Sequence, residues 1–213
     1  MGVDGGRAVL SGDRSRTVPL HRTGVEDDVV IKLPQKYKPK ELPETGFAPD
    51  VITHLPPMPA GFAYANTDIL LEIPKLKQTL KIAGVPYDDG NISWDLTWLN
   101  TEAGWLENTA FPTHAGNSAL TAHTTLSNGQ PGPFSKLDTL SYGDQVIVHL
   151  GGQKYIFEVR SNKQVNPNAV TSTLKHEELP WLTLLTCKSY NEKTGDYAYR
   201  TAVRAVLVKV VDE

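Results

Sequence analysis

Short apolar runs separated by turn residues fill the chain from about residue 68 onward. ILLEIP (69–74) and LKIAGVP (80–86) each end at a proline, and ALTAHTTL (119–126) alternates and is rich in β-branched residues. Runs of this length and composition predict β-strands.

The second half of the chain continues this pattern. DQVIVHL (144–150) and KYIFEVRSNKQV (154–165) flank GGQ, which predicts a tight hairpin. LPWLTLLTC (179–187) and YAYRTAVRAVLVKVV (197–211) predict two more strands. About seven or eight strands at this spacing favour a mainly β fold, a closed or nearly closed barrel rich in antiparallel pairs.

Few segments suit a helix. SWDLTWLN (93–100) fits either a strand or a short helix. There is room for one or two short helices, near residues 101–107 and 169–175.

The first 60 residues differ from the rest. They hold many of the prolines, mixed charge and little periodicity, as in LPQKYKPKELPETGFAPD (33–50). This composition predicts an extended or disordered tail. The sequence therefore predicts two parts, a tail over 1–60 and a folded domain over 61–213.

Composition narrows the function classes. The 213 residues are 39% hydrophobic with a net charge of −3, which gives no reason to expect a nucleic-acid partner. No stretch approaches the roughly 20 apolar residues of a membrane helix, so we expect no membrane anchor within this sequence. The single cysteine excludes an internal disulfide and a cysteine-based zinc site.

That cysteine, Cys187, ends an apolar run. A nucleophilic thiol needs a nearby base or a lowered pKa, and donors for the oxyanion that forms on attack. Strand-like segments offer His123 as a base, with His114 as an alternative. They also offer Arg200 and Arg204, which lie on the same side of one predicted strand.

Three motifs around these residues resemble those of the sortases, bacterial cysteine transpeptidases. TLLTC (183–187) fits the TLxTC nucleophile motif, and GNSALTAH (116–123) fits the segment that ends in the catalytic histidine. YNEKTGDYAYR (190–200) fits the loop and strand that deliver the catalytic arginine. The resemblance covers about residues 67–211 and implies a closed eight-stranded barrel.

The resemblance also implies roles. Cys187 would attack the Thr carbonyl of an LPxTG-type sorting signal and form a thioester. His123 would protonate the leaving amine and later deprotonate the incoming one, while Arg200 would bind the carbonyl or oxyanion. Arg204 is then expected in a salt bridge, and Thr186 is expected to help position the substrate.

Recognition of Leu and Pro in such a signal requires an apolar groove. The sequence offers Trp94, Leu96, Val170 and Trp181 as groove residues. Some sortases bind calcium, but Glu107, Glu177 and Glu178 supply too few oxygen ligands for such a site. We therefore expect no required metal and no cofactor.

The tail itself contains an LPxTG sequence, formed by Leu42, Pro43, Glu44, Thr45 and Gly46. Tethering gives even a weak ligand a high effective concentration. We therefore consider a pseudo-substrate that occupies a catalytic groove in cis or in a second copy. The alternative is an inert proline-rich spacer.

The resemblance predicts transfer of the cleaved sorting signal to an amine, either a peptidoglycan precursor or a pilin lysine. The place of action would be the outer face of the bacterial membrane or the cell wall. Two alternatives stay open, a sortase-like endopeptidase that mainly hydrolyses and a non-catalytic β-barrel binding module.

Overall fold

The structure of the protein is a computed structural model that describes residues 46–47, 52–64 and 68–213. All of these residues belong to one compact unit, Pro39–Glu213.

β-strands account for most of the regular structure in these residues. The strands are β1 (Leu70–Ile73), β2 (Gln78–Val85), β3 (Tyr87–Asp88), β4 (Ser93–Trp94), β5 (Ala103–Leu106), β6 (Asn117–Thr121), β7 (Gln145–Leu150), β8 (Gln153–Val165), β9 (Trp181–Asn191) and β10 (Asp196–Asp212). Short 3-10 helices occupy Pro74–Leu76, Leu137–Thr139 and Pro167–Ser172.

Eight of the strands close into a barrel in the order β1-β2-β5-β6-β9-β10-β8-β7, and β7 pairs back onto β1. β2 runs parallel to β5 and β6 runs parallel to β9, whereas the other neighbouring pairs are antiparallel. β3 and β4 form a separate two-stranded sheet. The prediction of a mainly β, closed eight-stranded barrel is confirmed.

The barrel interior is filled by alternate residues of its strands. Leu182 and Leu184 of β9, and Val203 and Leu207 of β10, are fully buried in the main apolar core. Because successive side chains of a strand point to opposite faces, the intervening residues face outward. Cys187 therefore lies on the outer face of the barrel.

The expected helix near residues 101–107 is wrong, because Ala103–Leu106 form β5. All four residues are buried, and the strand pairs with β2 on one side and with β6 on the other. Burial on both faces removes the alternation that marks a strand in sequence, which explains the error.

Other predictions hold with changed boundaries. The helix expected near 169–175 is the 3-10 helix Pro167–Ser172, and the strand expected over 119–126 ends at Thr121. The GGQ hairpin is present, with both glycines of its two-residue turn at positive φ.

The described part of the predicted tail contains no strand or helix, but it packs against the barrel. Phe47 is only 1% exposed and contacts Trp181 and Val206. Leu55 and Met58 pack on the main core. These residues are therefore part of the folded unit, while the division at residues 60 and 61 as a whole stays a prediction.

Candidate active site

Cys187 and Arg200 are direct neighbours across two strands. In the antiparallel pairing of β9 with β10, the Cα partner of Cys187 is Arg200. Directly paired residues share a face of the sheet, with Cα atoms about 4.5–5.5 Å apart. The two side chains thus lie side by side on the outer face of the barrel.

His123 reaches the same place through the other neighbour of β9. The parallel pairing of β6 with β9 ends with Thr121 opposite Leu185. His123 lies two residues beyond the end of β6 and Cys187 two residues beyond Leu185, and both line the same cavity. The Thr186 Oγ1 hydroxyl donates to the Ala122 carbonyl at 2.7 Å and extends the link between the strands beyond the end of β6.

A cavity of about 450 Å³ opens beside these three side chains, and all of them line it. Its other walls are mainly apolar. The apolar lining residues are Trp94, Leu96, Leu99, Leu106, Val170, Leu174 and Leu185. An apolar cavity thus lies beside a thiol, an imidazole and a guanidinium.

His123 is oriented by the loop between β4 and β5. Its Nε2 atom lies 3.0 Å from the Leu96 carbonyl oxygen. A carbonyl only accepts, so Nε2 carries the proton and Nδ1 is the basic nitrogen. The loop is itself fixed by a turn in which Asp95 accepts from the backbone N–H and the hydroxyl of Thr97.

The environment of Cys187 combines burial with a nearby positive charge. Burial raises the pKa of the Cys187 thiol, and the charge of Arg200 lowers it by a smaller amount. The net shift is upward, so the protonated thiol predominates at neutral pH. Arg200 also donates to the Tyr197 and Tyr199 carbonyls, at 3.3 and 3.1 Å.

The alternatives to His123 and Arg200 lie elsewhere. His114 packs against Phe62 and Phe111, and burial lowers its pKa. It does not line the cavity. Arg204 forms the expected salt bridge, with Nη2 2.6 Å from Glu177.

The groove residues proposed from sequence divide into two groups. Trp94, Leu96 and Val170 line the cavity, and so does Thr186. Trp181 does not line it and instead packs against Phe47 under the guanidinium of Arg204. The geometry therefore gives Trp181 a packing role.

Several cavity residues were missed from sequence. Leu99 and Leu106 line the cavity but lie outside the three motifs, and nothing in their local sequence marks them. Tyr197 also lines the cavity and lies inside YNEKTGDYAYR, but the motif match by itself gave it no role. Asn117 was also missed, although it lies inside GNSALTAH. Its buried side chain holds the loop that carries Val170.

The described residues contain no group of three or more His, Cys, Asp or Glu side chains that could hold a metal ion. None of the helices in that part of the chain is long and apolar enough to cross a membrane.

Comparison with known proteins gives consistent results. The family model described as "Sortase domain" matches residues 71–208. Sortase C-1 from Actinomyces oris is 28% identical with a TM-score of 0.54, covering 67% of this chain and 74% of its own. The Clostridium perfringens sortase D5 transpeptidase is 25% identical with a TM-score of 0.53, covering 68% and 80%.

Sortase A from Corynebacterium diphtheriae, a lid mutant, shares the fold at 24% identity. Its TM-score is 0.55, and the match covers 69% of this chain and 73% of that one. A search of curated proteins found no match.

A closed barrel that presents a thiol beside an imidazole and a guanidinium defines a cysteine acyl-transfer enzyme. The family match spans most of the barrel. The chain belongs to the sortase family and is a cysteine transpeptidase, in a family that anchors proteins at the cell surface.

The hydrogen bond from Thr186 to Ala122 predicts a selective effect on turnover. Thr186→Val leaves a carbonyl without its donor next to His123. We expect a loss of about 1–3 kcal/mol in unfolding free energy and a roughly tenfold fall in kcat from the displaced imidazole. Denaturant unfolding and steady-state peptide kinetics measure both.

Thr201→Val is the matched control. Thr201 pairs with Thr186 across the strands, and its buried hydroxyl has no hydrogen-bond partner among the described residues. We expect unchanged or improved stability and unchanged kcat. Equal losses in the two variants would contradict the role given to the Thr186 hydroxyl.

The raised pKa of Cys187 predicts alkaline-shifted thiol reactivity. Only the thiolate attacks iodoacetamide, so alkylation accelerates as pH rises through the pKa. Its midpoint should lie above that of a free cysteine. Arg200→Gln removes the charge that lowers this pKa, so the midpoint moves to still higher pH.

Mass spectrometry of alkylation between about pH 6 and 10 measures these midpoints. Lys75→Gln removes a positive charge that does not line the cavity, so it is the control and should leave the midpoint in place. A wild-type midpoint at or below that of free cysteine would contradict the burial argument.

Proposed function

We propose that this enzyme cleaves an LPxTG-type sorting signal between Thr and Gly and transfers the acyl part to an amine. The observation that carries the proposal is the register of β9 with its two neighbours, which supports a shared site for Cys187, His123 and Arg200. The apolar cavity beside them suits the Leu and Pro side chains of such a signal.

The chemistry proceeds in two transfers. His123 first takes the proton of the Cys187 thiol. The Cys187 Sγ thiolate then attacks the Thr carbonyl carbon, and the resulting oxyanion accepts hydrogen bonds from the Arg200 guanidinium. The Thr–Gly C–N bond then breaks as His123 gives a proton to the leaving amine. A thioester remains on Cys187.

The second transfer reverses these roles. The acceptor amine attacks the thioester carbonyl carbon and loses a proton to His123, and the Cys187 thiolate leaves. A second cavity of about 300 Å³ also borders His123, and its lining combines the polar Asn100, Thr125 and Ser127 with Leu99 and Leu126. This mixed lining suits the entry of the amine, either from a peptidoglycan precursor or from a pilin lysine.

This role implies work at the outer face of the bacterial membrane or in the cell wall, where sorting signals and acceptor amines meet. A second candidate is a sortase-like endopeptidase. The approach to His123 through the second cavity also admits water, which competes with the amine for the thioester.

An LPETG peptide distinguishes these functions. With triglycine present, mass spectrometry should show the LPET-triglycine product, whereas hydrolysis gives LPET alone. Cys187→Ala should abolish both products, and His123→Ala or Arg200→Ala should lower kcat by about 10²–10⁴-fold. Cleavage without transfer would favour the endopeptidase.

Conversion that persists in Cys187→Ala would contradict a thioester mechanism. If the wild-type chain bound the peptide without converting it, the binding-module alternative would replace the enzyme.

We further propose that the chain's own LPETG motif acts as a substrate or pseudo-substrate between copies. Leu42–Thr45 lie outside the described residues, but Gly46 lies against the Trp181 ring. Trp181 is six residues before Cys187 on β9, about 20 Å along the strand. With Gly46 held there, the distance argues against attack in cis and favours a second copy.

A mixing experiment tests this inter-copy proposal. Full-length Cys187→Ala protein is the substrate. The enzyme is the wild-type chain, labelled so that its fragments differ in mass from those of the substrate. We expect a fragment that begins at Gly46, at a rate that rises with wild-type concentration. The control substrate carries Pro43→Ala in addition and should be cleaved more slowly.

Two outcomes would contradict the inter-copy proposal. If no cleavage occurs at the Thr45–Gly46 bond while a free LPETG peptide is converted, the motif is an inert spacer. Wild-type self-cleavage at a rate independent of dilution would indicate attack in cis.

A further inference from the structure

The β8–β9 loop, residues 166–180, forms one wall of the apolar cavity. Val170 and Leu174 are its lining residues. The middle of the loop is held by Asn117, whose side-chain amide donates to the carbonyls of Thr173 and Lys175 at 2.8 and 3.0 Å. This contact ties the middle of the loop to β6.

The later part of the loop is held by Arg204. Nη2 of Arg204 lies 2.6 Å from Glu177, and the centre of its guanidinium lies 4.1 Å from the centroid of the Trp181 ring. Exposed ion pairs contribute little by themselves. Here the Arg204 side chain is only 25% exposed, and stacking on the indole adds a cation–π attraction.

Trp181 is in turn supported by the segment that follows the LPETG motif. The Phe47 ring packs edge-on against Trp181, with centroids 6.0 Å apart. Gly46 has φ of +66°, and a Cβ at this position would meet the Trp181 ring at 2.4 Å. Nε of Arg160 donates to the Gly46 carbonyl at 2.7 Å. Only glycine allows this close approach.

A continuous row of contacts therefore runs from Phe47 through Trp181 and Arg204 to Glu177, and we name these four residues the Arg204 bracket. We propose that Arg204 is a positioning residue for the β8–β9 loop and that the Gly46–Phe47 segment supports it through Trp181. This inference rests on the proposed function, because it assumes that the loop binds the sorting signal.

The bracket gives Phe47 a role in substrate affinity, although Phe47 does not line the cavity. The bracket acts on the wall of the cavity and not on Cys187 or His123. Its loss should therefore weaken substrate binding more than it slows the chemical step.

Steady-state kinetics with the LPETG peptide and triglycine provide the test in the full chain. Arg204→Gln and Glu177→Gln should each raise KM roughly threefold to thirtyfold, with kcat within about twofold of wild type. Arg204→Lys keeps the charge but loses the flat stack, so it should recover only part of the affinity. A merely structural role would lower stability or kcat and leave KM unchanged.

Lys75→Gln is the matched control. Lys75 pairs with Asp144 at 2.6 Å, in an ion pair of similar length that borders neither cavity. Its loss should leave KM unchanged. An equal rise in KM would show that any lost ion pair has this effect, and would overturn the proposal.

Phe47→Ala tests the outer end of the bracket, with Ile52→Ala as the exposed control. Phe47→Ala should raise KM by itself but add little in the Arg204→Gln background, because residues of one network are not additive. Independent, multiplying effects would contradict a route through Trp181.

Hydrogen exchange of the full chain provides a readout that does not need catalysis. Arg204→Gln and Phe47→Ala should speed amide exchange within residues 166–180 relative to Lys75→Gln. Unchanged exchange there would overturn the bracket even if the enzyme is active. An inactive wild type with faster loop exchange in the variants would instead overturn only the proposed function.

Discussion

The hydrogen-bond register of β9 between β6 and β10 is the constraint on which the site depends. Parallel pairing puts the end of β6 opposite Leu185, two residues before Cys187, and antiparallel pairing puts Arg200 directly opposite Cys187. The side chains come from positions 123, 187 and 200. A slip of one residue in either pairing would turn one of them toward the barrel interior, because strand side chains alternate between faces.

Burial and charge oppose each other at the thiol. The apolar walls that suit a Leu-Pro segment also raise the pKa of Cys187, and Arg200 offsets only part of that shift. The same guanidinium is suited to hold an oxyanion, since it carries fixed donors and stays protonated. One charge thus acts on both the nucleophile and the proposed transition state, which is why its removal should alter alkylation and turnover together.

The two arginines of β10 lie on one face of the strand and make different contacts. Arg200 lies at the cavity, whereas Arg204 lies over Trp181 and contacts the loop above it. The segment around Phe47 packs below that contact. The Gly46–Phe47 segment at the end of the LPETG motif is thus part of the folded unit, and the motif's glycine has a packing reason to be glycine in addition to any role as a cleavage site.

The sequence by itself determined the strand-rich pattern, the GGQ hairpin and, through three motifs, the family and the candidate residues His123, Cys187 and Arg200. These features are local, since turn chemistry, alternation and motif spacing depend only on residues that are close together in the sequence. Only the tertiary structure decided that 103–106 is a strand, that Trp181 packs against Phe47, and that Leu99, Leu106 and Tyr197 line the cavity. Those outcomes depend on which strands pair and which faces are covered by distant segments, and a local pattern carries no information about either.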